Sequence, residues 1–130
     1  MARILIIDDN PVNLRLVSLI LQNENHEIDH AADAEQALEL LERVIPELVL
    51  VDIALPGMDG LSLTRKLKAD SRFKSVPVVA LTAFAMKDDE EKAYLAGCDD
   101  FVTKPIDTRQ FPIQVAKWLG LRARWEKDGV

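Results

Sequence analysis

Cysteine is nearly missing from this chain. Cys98 is the sole one in 130 residues, so no internal disulfide can form, and a reducing compartment is consistent with that. Long apolar runs are missing too. None approaches the ~20 residues of a membrane span. The opening Met1-Ala2-Arg3 leads into an apolar run too short for a signal-peptide core. No membrane insertion and a cytoplasmic location are therefore expected. Basic charge is in short supply: 16 Lys and Arg stand against 22 Asp and Glu, for a net charge of −6. Nucleic-acid binding draws most of its affinity from basic side chains on phosphates. With no Lys/Arg stripe, direct nucleic-acid binding is not expected. Gly/Ser- or Pro-rich linkers and internal repeats are also absent. One domain over residues 1–121 is expected, with a C-terminal tail over 122–130.

What is present is an ordinary globular composition, 48% apolar, with charges of mixed sign. Short apolar runs alternate with longer amphipathic stretches. The runs are Ile4-Leu5-Ile6-Ile7, Leu48-Val49-Leu50-Val51 and Val76-Pro77-Val78-Val79-Ala80-Leu81. Each is continuous, as in strands of a parallel sheet buried on both faces. Weaker strands are predicted over Glu27 to Ala31 and Asp100 to Thr103.

Helix signals lie between the strands. Asn10-Pro11 places an N-cap before a first-turn proline, and Val12, Leu16, Leu19 and Ile20 follow as apolar positions. Asp33 and Gln36 have capping-box spacing, ahead of an apolar face of Ala34, Ala37, Leu38 and Leu41. Asp59 caps a helix from Gly60 to about Lys68. Asp88, Asp89, Glu90 and Glu91 crowd the start of a fourth helix, where its dipole favours negative charge. Gly97 stops that helix. A fifth is predicted from about Thr108 to Leu119, where Pro112 must sit in the first turn or distort the helix. The order is β-α five times over, which gives an α/β, doubly wound sandwich.

Ligands of such sheets bind outside the carboxyl ends of the strands. Strand one ends in Asp8-Asp9, strand three in Asp52, strand four in Thr82-Ala83, and strand five just before Lys104-Pro105. In a parallel sheet these ends share one edge. Three carboxylates repel one another unless a cation is present, and carboxylates with carbonyls and waters are typical Mg²⁺ ligands. A carboxylate beside such an ion can attack phosphorus to give an acyl phosphate. Lys104 and Thr82 can then hold phosphoryl oxygens.

These residues carry a resemblance. From about Arg3 to Leu119 the chain resembles the receiver domains of two-component signalling. The matching segments are Ile6-Ile7-Asp8-Asp9-Asn10, Asp52-Ile53-Ala54-Leu55-Pro56-Gly57-Met58-Asp59-Gly60, Leu81-Thr82-Ala83 and Thr103-Lys104-Pro105. The resemblance implies a flavodoxin-like fold with a five-stranded parallel sheet in the order 2-1-3-4-5. It implies Asp52 as phosphoacceptor, Asp9 and Asp52 as direct Mg²⁺ ligands, Asp8 acting through water, and the Ala54 backbone carbonyl as a further ligand. Thr82 and Phe101 match the family's switch hydroxyl and switch aromatic, and Lys104 its phosphate-binding lysine, with a cis bond to Pro105. Ala54 and Phe84 occupy the two positions that flank water's approach to the phosphate. Neither can hydrogen-bond that water, so a long-lived phosphate is expected. The segment Thr82-Ala83-Phe84-Ala85-Met86-Lys87 is similar to single-domain cell-cycle and cell-fate regulators.

The implied partners are a sensor histidine kinase or histidine phosphotransfer protein upstream and a protein target downstream. The output face would be the fourth helix, fifth strand and fifth helix. The start at Met1, close to the first strand, suits a stand-alone protein. The segment Arg122-Ala123-Arg124-Trp125-Glu126-Lys127 also suits the beginning of a linker, in a receiver fragment of a longer response regulator or hybrid kinase.

Other readings compete for the same residues. Alone, Asp8-Asp9 reads as acids capping the first helix, and Thr82 as a buried strand hydroxyl. An Asp-nucleophile phosphatase usually carries a second acid two residues after the nucleophile, but Ala54 stands there. A flavin carrier needs a Gly/Ser/Thr loop after strand one, and Asp8-Asp9 would repel its phosphate. The reading favoured is a phosphoacceptor that is not an enzyme, beyond catalysing its own phosphorylation and dephosphorylation.

Overall fold

A computed structural model describes residues 2–55, 57–83 and 87–127, with side chains at all of these except residues 87 and 121–127. The elements run β1 (Arg3–Ile7), α1 (Pro11–Asn23), β2 (Glu27–Ala31), α2 (Ala34–Leu41), β3 (Leu48–Asp52), α3 (Gly60–Ala69), β4 (Val78–Thr82), α4 (Lys87–Ala96), β5 (Asp100–Thr103) and α5 (Phe111–Lys127). All strand pairs are parallel, in the order β2-β1-β3-β4-β5. This is the doubly wound architecture and strand order expected.

The continuous apolar runs are strands because both of their faces are covered. β3 and β4 are buried along their whole length. Successive residues alternate between two layers, as the pleat requires. Leu5, Ile7, Val49, Val51, Val78 and Ala80 pack with α2, α3 and Ala93 of α4. Ile4, Ile6, Leu48, Leu50, Val79 and Leu81 pack on the other side with Val17 and Leu21 of α1 and Phe111, Val115 and Trp118 of α5. The sheet thus divides the core in two.

The predicted caps form. Asn10 Oδ1 accepts from the Val12 and Asn13 amides. Asp33 Oδ1 accepts from Gln36 N, while Gln36 Oε1 reaches back to Ala32 N. Asp59 Oδ1 accepts from Ser62 N at 2.8 Å. Gly97 ends α4 at φ 108°, a backbone geometry that suits glycine.

Two expectations need correction. β4 begins at Val78, not Val76: Pro77 has no amide to donate to a ladder, and its carbonyl instead accepts from Val49 N. α5 runs from Phe111 to Lys127, not from Thr108 to Leu119. Asp107 delays its start by binding the Arg109 and Gln110 amides, so Pro112 falls at the second helical position. On α1, Val12 (74% exposed), Leu16 (40%) and Leu19 (57%) face solvent. Val17 and Leu21 form the buried face, backed by Leu14 and Ile20.

Candidate functional site

The carboxyl ends of β1, β3, β4 and β5 bring the expected side chains together. Asp8 follows β1 and is buried, 2% exposed. Its Oδ1 accepts from Asn10 N at 2.9 Å, so the residue that caps α1 also orients Asp8. Asp9, next to it, is exposed. Asp52 ends β3, and its Oδ1 accepts from Ala54 N at 2.8 Å, which fixes the carboxylate against its own loop. Carboxylate oxygens of Asp8, Asp9 and Asp52 lie within 4.8 Å of one another.

Lys104 closes the cluster. Its Nζ donates to Asp8 Oδ2 at 2.8 Å and Asp52 Oδ2 at 3.0 Å. Lys104 N donates to the Thr82 carbonyl at 2.7 Å, and the Lys104-Pro105 bond is cis, as the resemblance implied. Burial works against the ammonium. The hydrogen bonds and charges of Asp8 and Asp52 outweigh burial, and the lysine is held above its ordinary 10.5. Lys104 therefore stays protonated at neutral pH. Three carboxylates against one ammonium still leave an excess of two negative charges. A hard divalent cation matches both that charge and the all-oxygen donor set.

Thr82 ends β4 fully buried, in register with Thr103. Phe101, half-buried on β5, packs on the same layer as α3 and α4. Ala54 is exposed beside Asp52. Phe84 and Pro56 lie outside the described residues, so neither the lifetime position at 84 nor the whole turn at Pro56-Gly57 is described. Gly57 itself has φ 72°, as the third residue of a type II turn requires.

Gly60 has a role that sequence reasoning missed. A Cβ there would lie 2.4 Å from the Asp52 carbonyl oxygen and 2.8 Å from Ile53 Cα. Only glycine lets the start of α3 abut the end of β3, where Gly60 N donates to the Ile53 carbonyl. The Asp-Gly pair after the 53–58 loop was the available signal. Cys98 is a buried thiol. Burial pushes its pKa up to about 11, despite a weak contact with Thr64 Oγ1, so it is unreactive near neutral pH.

The sequence and the fold are shared with known proteins. The model of the response regulator receiver domain family matches residues 4–116. The polar-differentiation response regulator DivK of Brucella anthropi is 36% identical over 117 residues, covering 90% of this chain and 95% of the relative. Among solved structures, the receiver domain of a sensor histidine kinase from Pseudomonas aeruginosa PAO1, described with a magnesium ion coordinated in its active site cleft, superposes with a TM-score of 0.84. It is 34% identical and covers 92% of this chain and 98% of that one. A CheY-like receiver domain protein from Methanospirillum hungatei JF-1 superposes with a TM-score of 0.88 at 29% identity, covering 99% of each chain.

Proposed function

We propose that in this chain, which belongs to the response regulator receiver domain family and is a phosphorylation-dependent signalling switch, the phosphoryl group is carried by Asp52. The observation that carries this is the position of Lys104 Nζ, between Asp8 and Asp52, at the sheet edge where β4 delivers Thr82. A carboxylate oxygen of Asp52 attacks phosphorus, and the bond to the donor, a phosphohistidine or small acyl phosphate, breaks. The product is an aspartyl phosphate. Ala54 N holds the other carboxylate oxygen still. Lys104 exchanges its Asp52 contact for a phosphoryl oxygen, and the Thr82 hydroxyl binds another.

Asp8, Asp9, Asp52 and the Ala54 carbonyl would hold a magnesium ion. When bound it neutralises charge on the phosphoryl oxygens. The chain is a phosphoacceptor, catalysing at most its own phosphorylation and dephosphorylation. Thr82 and Phe101 couple the phosphate to an output face of α4, β5 and α5.

The upstream partner must bring its phosphohistidine to Asp52, so its docking surface must border the site. Val12, Leu16 and Leu19 on α1, starting three residues after Asp9, offer an exposed apolar stripe there. A sensor histidine kinase or histidine phosphotransfer protein is the partner proposed, with a protein target downstream. Among the described residues no helix is long and apolar enough to cross a membrane, and a cytoplasmic location is proposed. The likeness to a receiver domain of a sensor kinase favours a second reading, a receiver module of a longer chain, which the full reading frame decides.

The test is incubation with acetyl phosphate, with and without Mg²⁺. Labelling is expected only with Mg²⁺ and is expected to vanish in Asp52→Asn. Wild-type labelling of that variant overturns the assignment, and equal labelling without Mg²⁺ overturns the metal.

A further inference from the structure

One carboxylate ties together two helices on opposite faces of the sheet. Asp100 opens β5, the strand at the sheet's edge. Its Oδ2 accepts from the indole Nε1 of Trp118, on α5, at 2.8 Å. Its Oδ1 accepts from the Phe101 amide at 2.8 Å and from the hydroxyl of Tyr94, on α4, at 3.3 Å. Ala93 places α4 on one core layer, and Trp118 belongs to the other. An edge strand is the place from which one side chain can serve both.

The two attachments differ in strength. Trp118 is 1% exposed and meets Phe111 edge to face, with ring centroids 6.0 Å apart. An indole N–H buried in an apolar layer keeps its acceptor, because water cannot replace it. Tyr94 is 44% exposed, its hydrogen bond is long, and water can take its place. α4 is lightly anchored in other ways: Ala93 and Ala96 are its buried apolar side chains among the described residues, and Leu95 is 86% exposed.

Resting on the switch reading above, we propose that Asp100 is a positioning residue for the switch. It locks α5 to β5 through Trp118 and holds α4 in its resting place through Tyr94. Phosphorylation of Asp52 breaks the Tyr94 bond and leaves the Trp118 bond intact. The path is short, since the carboxylate also binds the backbone amide of Phe101, the switch aromatic. The output face then changes by movement of α4 against a fixed pair of β5 and α5. A ligand shifts such an equilibrium only through contacts that differ between the two states, and the Tyr94 bond is one such contact.

The test uses the full chain with Trp125→Phe, which leaves Trp118 as the sole indole, and Mg²⁺ with beryllofluoride as the phosphoryl probe. On binding, amide resonances of residues 88–96 are expected to shift while the Trp118 indole resonance stays near its free position. Tyr94→Phe, which keeps the ring, is expected to move those amides toward their bound positions without ligand. It should also raise beryllofluoride affinity about two- to fivefold, the effect of one weak hydrogen bond. Trp118→Phe is expected to lower the urea midpoint without raising that affinity. A folded Tyr94→Phe chain with unchanged affinity overturns the proposal. So does an indole resonance that shifts as far as the α4 amides. If wild type takes up no beryllofluoride, the switch reading falls and the proposal falls with it. Normal uptake with an indifferent Tyr94→Phe defeats the proposal alone.

Discussion

Replacing Lys104 by methionine removes the cation that, among the described residues, bonds both Asp8 and Asp52, and keeps most of the side chain's volume. Nζ lies 2.8 Å from Asp8 and 3.0 Å from Asp52, and side-chain exposure is 12% for the lysine, 2% for Asp8 and 11% for Asp52. Removing one partner of a buried ion pair costs about 3–5 kcal/mol, because the remaining charge stays desolvated. The lower figure applies here, since Asp9 is open to water and Asp52 keeps some access to it. Unfolding entropy of about 2.1 cal/mol/K per residue over 130 residues gives roughly 270 cal/mol/K, so 3 kcal/mol lowers Tm by about 10 °C. Magnesium reverses the loss. The variant's site has three uncompensated carboxylates, so it binds the ion more tightly than wild type and gains more stability from it. The assay is thermal unfolding by circular dichroism, in EDTA and over a Mg²⁺ series. The gap between wild type and Lys104→Met should be widest in EDTA and narrow as Mg²⁺ rises. A gap independent of Mg²⁺, or no gap in EDTA, refutes the reasoning.

Three further outcomes are expected. Gly60→Ala drives a methyl into backbone at 2.4 Å, which costs about 1–3 kcal/mol in urea unfolding, and it displaces the Asp52 loop, so phosphorylation by acetyl phosphate slows in chains that are still folded. Asp59→Ala loses the α3 cap, at about 1 kcal/mol near neutral pH; hydrogen bonding from the Ser62 amide holds the Asp59 carboxyl below its ordinary 3.8, so this stabilisation is full above that value and is lost as pH falls through the lower folded-state pKa, where the two unfolding curves should converge. Ala54→Asn with Phe84→Glu gives an attacking water hydrogen-bonding partners near the phosphate, and label should leave the double variant faster than wild type in Mg²⁺ buffer without partners; equal decay shows that these side chains do not set the lifetime.

Elements buried on both faces were the most legible. β1, β3 and β4 are built on short continuous apolar runs, and no other element suits that pattern in so few residues. Caps were legible because their chemistry is local: Asn10, Asp33 and Asp59 each act within three residues. The converging site was legible because parallel strands carry their ends to one edge, whatever the loops do. The face of α1 was not. Apolar residues surround that helix, from Val12 and Leu14 to Val17, Leu19 and Leu21, and only packing against the sheet selects Val17 and Leu21. Contacts between distant residues were equally hidden. The sequence put Lys104 at the same edge as Asp8 and Asp52, 96 and 52 positions before it, but aimed its ammonium at a phosphoryl oxygen, not at a direct bridge between the two carboxylates. Asp100 and Trp118, 18 apart, meet only once α5 is laid on the sheet.

The division of the core by the sheet bears on how such a chain can diverge. Phe101 and the helices α2, α3 and α4 share one layer, while Trp118, Phe111 and the buried face of α1 share the other. Trp118 apart, substitutions of the buried side chains of the second layer alter folding stability with little direct effect on the exposed surface of α4, because the sheet stands between them. A lineage can thus gain stability from the buried side chains of α1 and α5 while the exposed residues of α4 vary.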